Sequence, residues 1–587
     1  MSAPSTNRSA LAELRRLVPF VRRYKRLTAW GLVFITLSNV CSTTIPRVVG
    51  QTIDTLKVST FSSEDIAWLI AQILLLTIGS GFFMFATRRT IIVMSRHVEE
   101  DLRNDFVRSI KDQSQRFFHD RSTGSLLAHF SNDIGAVREF IGPAIMYTAN
   151  TITTFAFALS WMVSINGALT LAILVPVPLV ATLTYRLGRK IHENYKRVQE
   201  QYEHITTHAQ ESASGVRVIR AYVRGDSESD RFDALSKDYY RKNMRLARVQ
   251  SLMMPGMTVL FNLSYIIVIG VGGYLVMNGA LTVGELTQFF IYLNQLLWPI
   301  AAIGWVTSMI QRGAASMGRL GTLSEAPRDV ADAPDAVAHE IVGDVTFDHV
   351  TLSYDGVRTV LDDVSLHIPA GTSLGIVGAV GSGKSSLVGL LPRLYDATNG
   401  SVRVDGIDVR RLPLTDLRAG IAVVPQEAFL FSDTIRENIR FGRPSATDDD
   451  VLRAARLAHL DSDITGLANG YDTVVGERGV TLSGGQKQRT SLARAIASDP
   501  AILILDDALS AIDADTEERI LRNLDEVMRG RTTLVISHRI STVKRCTSII
   551  VLQDGRIVEQ GTHDELVRLN GIYADMFERQ QLEQELS

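Results

Sequence analysis

At 587 residues the chain is too long for one compact domain, and its 46% hydrophobic content averages over two unlike halves. A net charge of −2, with no basic stripe interleaved with aromatics, excludes a nucleic-acid partner. Only two cysteines occur, Cys41 in an apolar run and Cys546 in the polar half, which excludes a disulfide framework.

The first residues, 1–26, contain "LAELRRLVPFVRRYKRL", an amphipathic pattern suited to a helix lying on the inner membrane surface. Six apolar runs follow at about Leu27–Val49, Ile66–Ala86, Ile141–Ile165, Ala168–Tyr185, Met254–Val276 and Thr287–Met309. Each is near the roughly 20 residues that a bilayer demands, so an all-α membrane domain over 27–320 is expected. Arg15, Arg16, Arg22, Arg23, Lys25 and Arg26 crowd the start of the first run and place the N-terminus in the cytoplasm. Short links such as "SING" (Ser164–Gly167) then face outward. The long, charged, helix-patterned stretches at roughly 88–139 and 186–250 carry the helices into the cytoplasm.

In the last run, Asn294, Trp298 and Trp305 share one helical face, and Gln288, Tyr292 and Gln295 share the next. Two readings stand: a cavity for amphipathic, aromatic-compatible molecules, or polar helix–helix contacts with interfacial tryptophans. Arg47, near the outer end of the first run, is expected to snorkel or to pair, for example with Asp54.

A loose segment with Pro327 and Pro334 forms a linker, 321–342, before an α/β domain over 343–587. There "GIVGAVGSGKSSLV" runs from strand through glycines into helix. Gly378, Gly381, Ser382, Gly383, Lys384, Ser385 and Ser386 form a P-loop whose backbone N–H groups wrap phosphates. Lys384 faces the β- and γ-phosphates, and Ser385 offers a hydroxyl to Mg2+. "AILILDD" is the apolar strand that ends in an acid, and Asp506 is expected to hold Mg2+ directly or through water. Between the two, Ser483, Gly484, Gly485 and Gln486 open a second helix with backbone donors and a hydroxyl. Two phosphate cradles in one domain imply two domains facing head to tail, each completing the other's site.

These motifs together resemble a half-size ATP-binding cassette (ABC) transporter of the exporter type, over nearly the whole chain. The resemblance implies that Tyr354 in "LSYDG" stacks on adenine and that Gln426 in "VVPQEAFLF" touches Mg2+. It also implies that "GERG" (Gly476–Gly479) meets the cytoplasmic loops, and that "SAID", ending in Asp513, crosses the dimer interface with Ile512 where leucine is usual. His538 in "VISHR" takes the part of the γ-phosphate switch, and "LSGGQ" is the intact family signature. Short coupling helices are expected near Gly124–Ala128 and within "ESASGVRVIRAYVRGD". Asp507 stands where hydrolysing members usually have glutamate. Its side chain is shorter by one methylene, and a misplacement of about 1 Å can slow a reaction on the order of 10²-fold. The expectation is a chain that binds ATP well and cleaves it slowly in its own site. Its signature then serves a different partner chain that has the glutamate, in a heterodimer of the bacterial inner membrane that exports multidrug-like amphiphiles or lipids. Alternatives are a homodimer with two slow sites, an ATP-gated channel or regulator, and an importer on the exporter scaffold, for a siderophore for instance.

Overall fold

The computed structural model describes residues 10–56, 63–354, 356, 358–476, 479, 482–510, 512 and 514–586. They form two compact units, one of Met1–Ile110 with Gly124–Glu325, the other of Lys111–Thr123 with Ala326–Ser587.

The first unit is all helix. Five helices among the described residues are long and apolar enough to cross a membrane: Lys25–Thr55, Ser63–Lys111, Gly167–Ser214, Gly225–Met277 and Val283–Ser324. The expected run Ile141–Ile165 is also helical. Its main part, Ile145–Ile165, carries Thr148, Asn150, Thr151, Thr153 and Thr154, and these polar groups keep it below the apolarity of the other five. Thr153 partly explains them, since its hydroxyl accepts from Asn39 Nδ2 on the first helix at 2.5 Å.

Start signals in the sequence set the helix ends. Asn166 accepts from the N–H of Leu169 at 2.9 Å and so caps Gly167–Leu174, while Thr282 and Glu285 form a reciprocal capping box for Val283–Ser324. Asp54 adds its carboxylate to that same helix start, accepting from Thr282 Oγ1 at 2.5 Å and from the N–H of Gly284 at 2.8 Å. Arg47 therefore does not pair with Asp54. Its guanidinium lies over the Trp161 ring, 4.7 Å from the centroid.

The long helices contain wide turns, with i→i+5 bonding, at Arg88–Ile92, at His129–Asp133 and Phe140–Ala144 within one helical run, and at Val268–Gly272. The stretch Gly124–Ala128 is not a separate short helix. It belongs to the first turns of an unbroken helical run over 123–165, because nothing in Thr123–Ala128 interrupts the backbone ladder. The separate short helix upstream is Gln115–His119, in the second unit. Its preceding loop is tied to the linker there by Ser114 Oγ to Asp329 (3.0 Å) and by Arg328 to Asp112 (3.0 Å). In the other loop the short helix is Val216–Ala221.

The second unit holds two sheets. Strands β1 (Val345–Ser353), β2 (Thr359–Ile368), β4 (Asn399–Val404) and β5 (Ile407–Asp408) form an antiparallel sheet in the order β2-β1-β4-β5. Strands β3 (Ser373–Val377), β6 (Ile421–Val424), β7 (Ile502–Asp506), β8 (Thr532–Ile536), β9 (Ser548–Gln553) and β10 (Arg556–Gly561) form the other, in the order β10-β9-β3-β8-β7-β6. All neighbours in that sheet are parallel except β10 with β9. Its central strands are buried on both faces, which is why "ILIL" and "TTLVI" read as continuous rather than alternating apolar runs.

Candidate nucleotide site

Four parallel strands deliver the site at their carboxyl ends, where open α/β sheets carry their ligands. The P-loop leaves β3, His538 follows β8, Asp506 and Asp507 end β7, and Gln426 lies just beyond β6. A methyl group on Gly378 (φ +153°) would stand 2.2 Å from the Leu552 carbonyl oxygen. On Gly383 (φ +99°) it would stand 2.8 Å from that of Val360. Only glycine permits both the turn and the packing at these points. Lys384 is buried, and its Nζ donates to the carbonyls of Gly378 and Ala379, each at 2.8 Å. Burial pulls its pKa down, against the opposing charges of Asp506 and Asp507.

Burial also pushes the Asp506 carboxyl up. The Ser385 hydroxyl bonded to it counters that shift, Asp507 adds to it, and the Lys384 and His538 charges again oppose it. Gln426 Nε2 reaches Asp507 Oδ2 at 3.4 Å. Thus Ser385, Asp506, Asp507 and Gln426 come together as a set of hard oxygen donors beside the P-loop, with two neighbouring carboxylates that favour a cation between them. That chemistry fits Mg2+, which takes one or two carboxylates and completes its shell with phosphates and water. No cluster of three or more His, Cys, Asp or Glu suited to a metal occurs among the described residues.

The Tyr354 hydroxyl donates to Ser386 Oγ at 2.8 Å, and its ring meets the Tyr395 ring edge-on at 4.8 Å. Tyr395 was not among the expected residues, and a lone tyrosine after a helix gives no sequence signal.

The signature lies at the start of helix Gly484–Ala497, away from the P-loop in sequence. Ser483 Oγ accepts from the N–H of Gln486 at 3.3 Å, and Gln486 Oε1 accepts from the N–H of Ser483 at 3.0 Å. Gly484 and Gly485 fill the first turn. Two residues that the motif does not name hold it: Asp463 accepts from Gln486 Nε2 at 3.0 Å and from the buried Arg489 at 2.6 Å. Gln488 links the segments further, donating to Ser510 Oγ at 3.1 Å, while Ser510 donates to the Asp507 carbonyl. Asp513, and Glu477 and Arg478 of "GERG", lie outside the described residues.

The face Gln288–Tyr292–Gln295 packs inward in the membrane unit. The Tyr292 hydroxyl donates to the Thr43 carbonyl at 3.0 Å and Gln295 Nε2 to that of Ser42 at 3.0 Å, both on the first helix. Asn294 and Trp298 are exposed, and Trp305 tilts against Tyr147 at 5.0 Å. A shallow cavity of about 410 Å³ is lined by Tyr265, Phe290, Ile291, Asn294 and Gln295.

The ABC transporter transmembrane region family matches residues 28–300, and the ABC transporter family matches residues 361–510. The chain is 37% identical over 577 residues to the probable multidrug resistance ABC transporter ATP-binding/permease protein YheI of Bacillus subtilis, covering 97% of this chain and 98% of that one. It is 36% identical to the multidrug resistance-like ATP-binding protein MdlA of Escherichia coli, covering 96% of each. An ATP-dependent lipid A-core flippase of Desulfotalea psychrophila is 34% identical, with 89% and 91% covered. A bacterial Atm1-family ABC exporter solved with ATP bound superposes with a TM-score of 0.80 at 28% identity, over 94% of this chain and 99% of that one. With helices that span a membrane, a P-loop domain behind them and relatives matched end to end, the chain belongs to the ABC transporters, as an ATP-driven half-size exporter that carries its membrane domain and its ATPase domain in one polypeptide.

Proposed function

We propose that this chain is the slow-site subunit of a heterodimeric exporter for amphipathic small molecules or lipids in a bacterial inner membrane. The carrying observation is Asp507: a carboxylate at the position of the attacking-water base, one methylene short and engaged at 3.4 Å by Gln426. Lys384, Ser385, Asp506 and Tyr354 hold ATP in this chain's site, where Ser385, Gln426 and Asp506 would hold Mg2+, which would neutralise phosphate charge. The backbone of Gly378, Gly381, Ser382 and Gly383, and the Ser386 hydroxyl beside Tyr354, complete the pocket, while His538 meets the γ-phosphate. Ser483, Gly484, Gly485 and Gln486 close over the partner's P-loop.

ATP held between the two domains favours closure, because it binds that state more tightly than the open one. The long helices then pass from inward- to outward-facing, and hydrolysis at the partner's site resets them. The multidrug names of two relatives and the lipid name of a third support an amphiphilic cargo.

The test is purification from the native membrane, followed by reconstitution with and without the co-purified chain. A different chain with glutamate at the matching position is expected, and the pair is expected to hydrolyse ATP while this chain alone turns over slowly. Full-speed ATP hydrolysis and transport by the lone polypeptide would sink the reading.

A further inference from the structure

The turn that carries His538 is held from two sides. Within it, Ser537 Oγ accepts from the N–H of Arg539 at 3.0 Å. From one side, the Arg539 guanidinium pairs with Glu517, a buried carboxylate on helix Ala514–Met528, whose other oxygen accepts from Thr542 Oγ1 at 3.1 Å. From the other side comes Gln580, on the chain's last helix, Ile572–Leu586. Its Nε2 donates to the His538 carbonyl at 2.5 Å, and its Oε1 accepts from the N–H of Ile540 at 2.8 Å.

One primary amide thus satisfies a carbonyl and an N–H two residues apart, using both its donor and its acceptor. This fixes the backbone of the turn while leaving the ring uncommitted: among the described residues, the His538 imidazole makes no hydrogen bond. A contact to a phosphate oxygen depends on placement to within about 1 Å, and the clamp restrains the backbone from which the His538 ring projects.

We propose that Gln580 is a positioning residue for His538, so that the last helix of the chain sets how strongly this chain's own site distinguishes ATP from ADP. The inference rests on the reading of His538 as the γ-phosphate contact. It is tested in the assembled transporter by photolabelling this chain with azido-ATP in the presence of increasing ATP or ADP, each of which protects against labelling according to its affinity. His538→Ala is expected to weaken ATP roughly tenfold against ADP, as loss of a hydrogen bond to a charged group does. Gln580→Ala reproduces most of that loss with ADP affinity unchanged, and adds nothing in the His538→Ala background. Gln580→Glu, which keeps the acceptor for Ile540 but sets a carboxylate oxygen against the His538 carbonyl, behaves like the alanine variant and guards against a folding failure of the first.

Additive effects in the double variant, or a parallel fall in ADP affinity, overturn the clamp while leaving the role of His538 intact. An unchanged ATP-to-ADP ratio in His538→Ala alone overturns the reading of the histidine, and the clamp with it.

Discussion

Asp507 adopts a left-handed backbone conformation, φ +48°, with its N–H bonded to the Ile536 carbonyl at 2.9 Å. Aspartate is enriched in that region because its short side chain tolerates it, whereas a longer L-residue there costs about 1–2 kcal/mol. Lengthening the side chain therefore gains reach towards a water at some expense in local strain. In a homodimer, Asp507→Glu is expected to raise steady-state ATP hydrolysis by up to about 10²-fold. In a heterodimer whose other site already cuts, the same change raises it only modestly. ATPase rates of the purified wild-type and variant assemblies, measured side by side, distinguish the two. The P-loop residues, Asp506 and the signature were legible in the sequence because phosphate chemistry fixes both residue type and spacing. Asp463, Arg489, Tyr395 and Gln580 were not, since each acts through a contact made by residues distant in the chain.

Helix contacts in the membrane unit rely on missing side chains. A Cβ on Gly284 would lie 2.0 Å from the Gly50 carbonyl oxygen, and one on Gly50 would lie 2.2 Å from Gln288 Nε2. The first and last spanning helices touch backbone to backbone there, as small residues allow. Gly284→Ala is expected to destabilise by about 1–3 kcal/mol, read as a lower midpoint and lower monodisperse yield in detergent.

Further along the last spanning helix, Ser316 and Arg319 meet Asp133 of the run 123–165, which is buried and accepts from Ser316 Oγ at 2.8 Å, from Arg319 Nε at 3.0 Å and from His129 Nδ1 of its own helix at 2.6 Å. Burial works against its charge, but the hydrogen bonds from Arg319, His129 and Ser316 outweigh it and hold the carboxyl below its ordinary value. Asp133→Asn is expected to cost about 2 kcal/mol, moderated because Arg319 is half exposed and can be solvated. The sign with pH is fixed: the contribution is fully present above the unfolded carboxyl pKa and is lost as pH falls through the depressed folded value. The unfolding midpoint of wild type should therefore drop more steeply over that acidic window than that of Asp133→Asn, the difference between the two closing as pH falls. Spans could be foreseen from apolar length. This buried polar cluster could not, because His129 and Asp133 read as one more charged helix face.

At the scale of the whole chain, an apolar half followed by an alternating half made the two architectures foreseeable, and end-to-end relatives bear out the exporter fold. The wide turns inside the long helices were not foreseeable, since such a turn leaves no mark on hydropathy. The turn at Arg88–Ile92 sits where the apolar span Ser63–Thr87 gives way to the charged stretch Val93–Lys111, whose buried face is Met94, Val98, Leu102 and Phe106. Such a turn holds one residue more than an α-helix needs, and each residue of an α-helix advances the azimuth by about 100°. The junction therefore works as a spare tooth in a gear. Shortening the chain by Arg89 should collapse the bulge and leave both segments clocked as before, whereas removing Asn104 should swing Phe106 out of its seat. Gel-filtration profiles and ATPase rates of the two single-residue deletions, the first near wild type and the second aggregated, would show where this helix stores its slack.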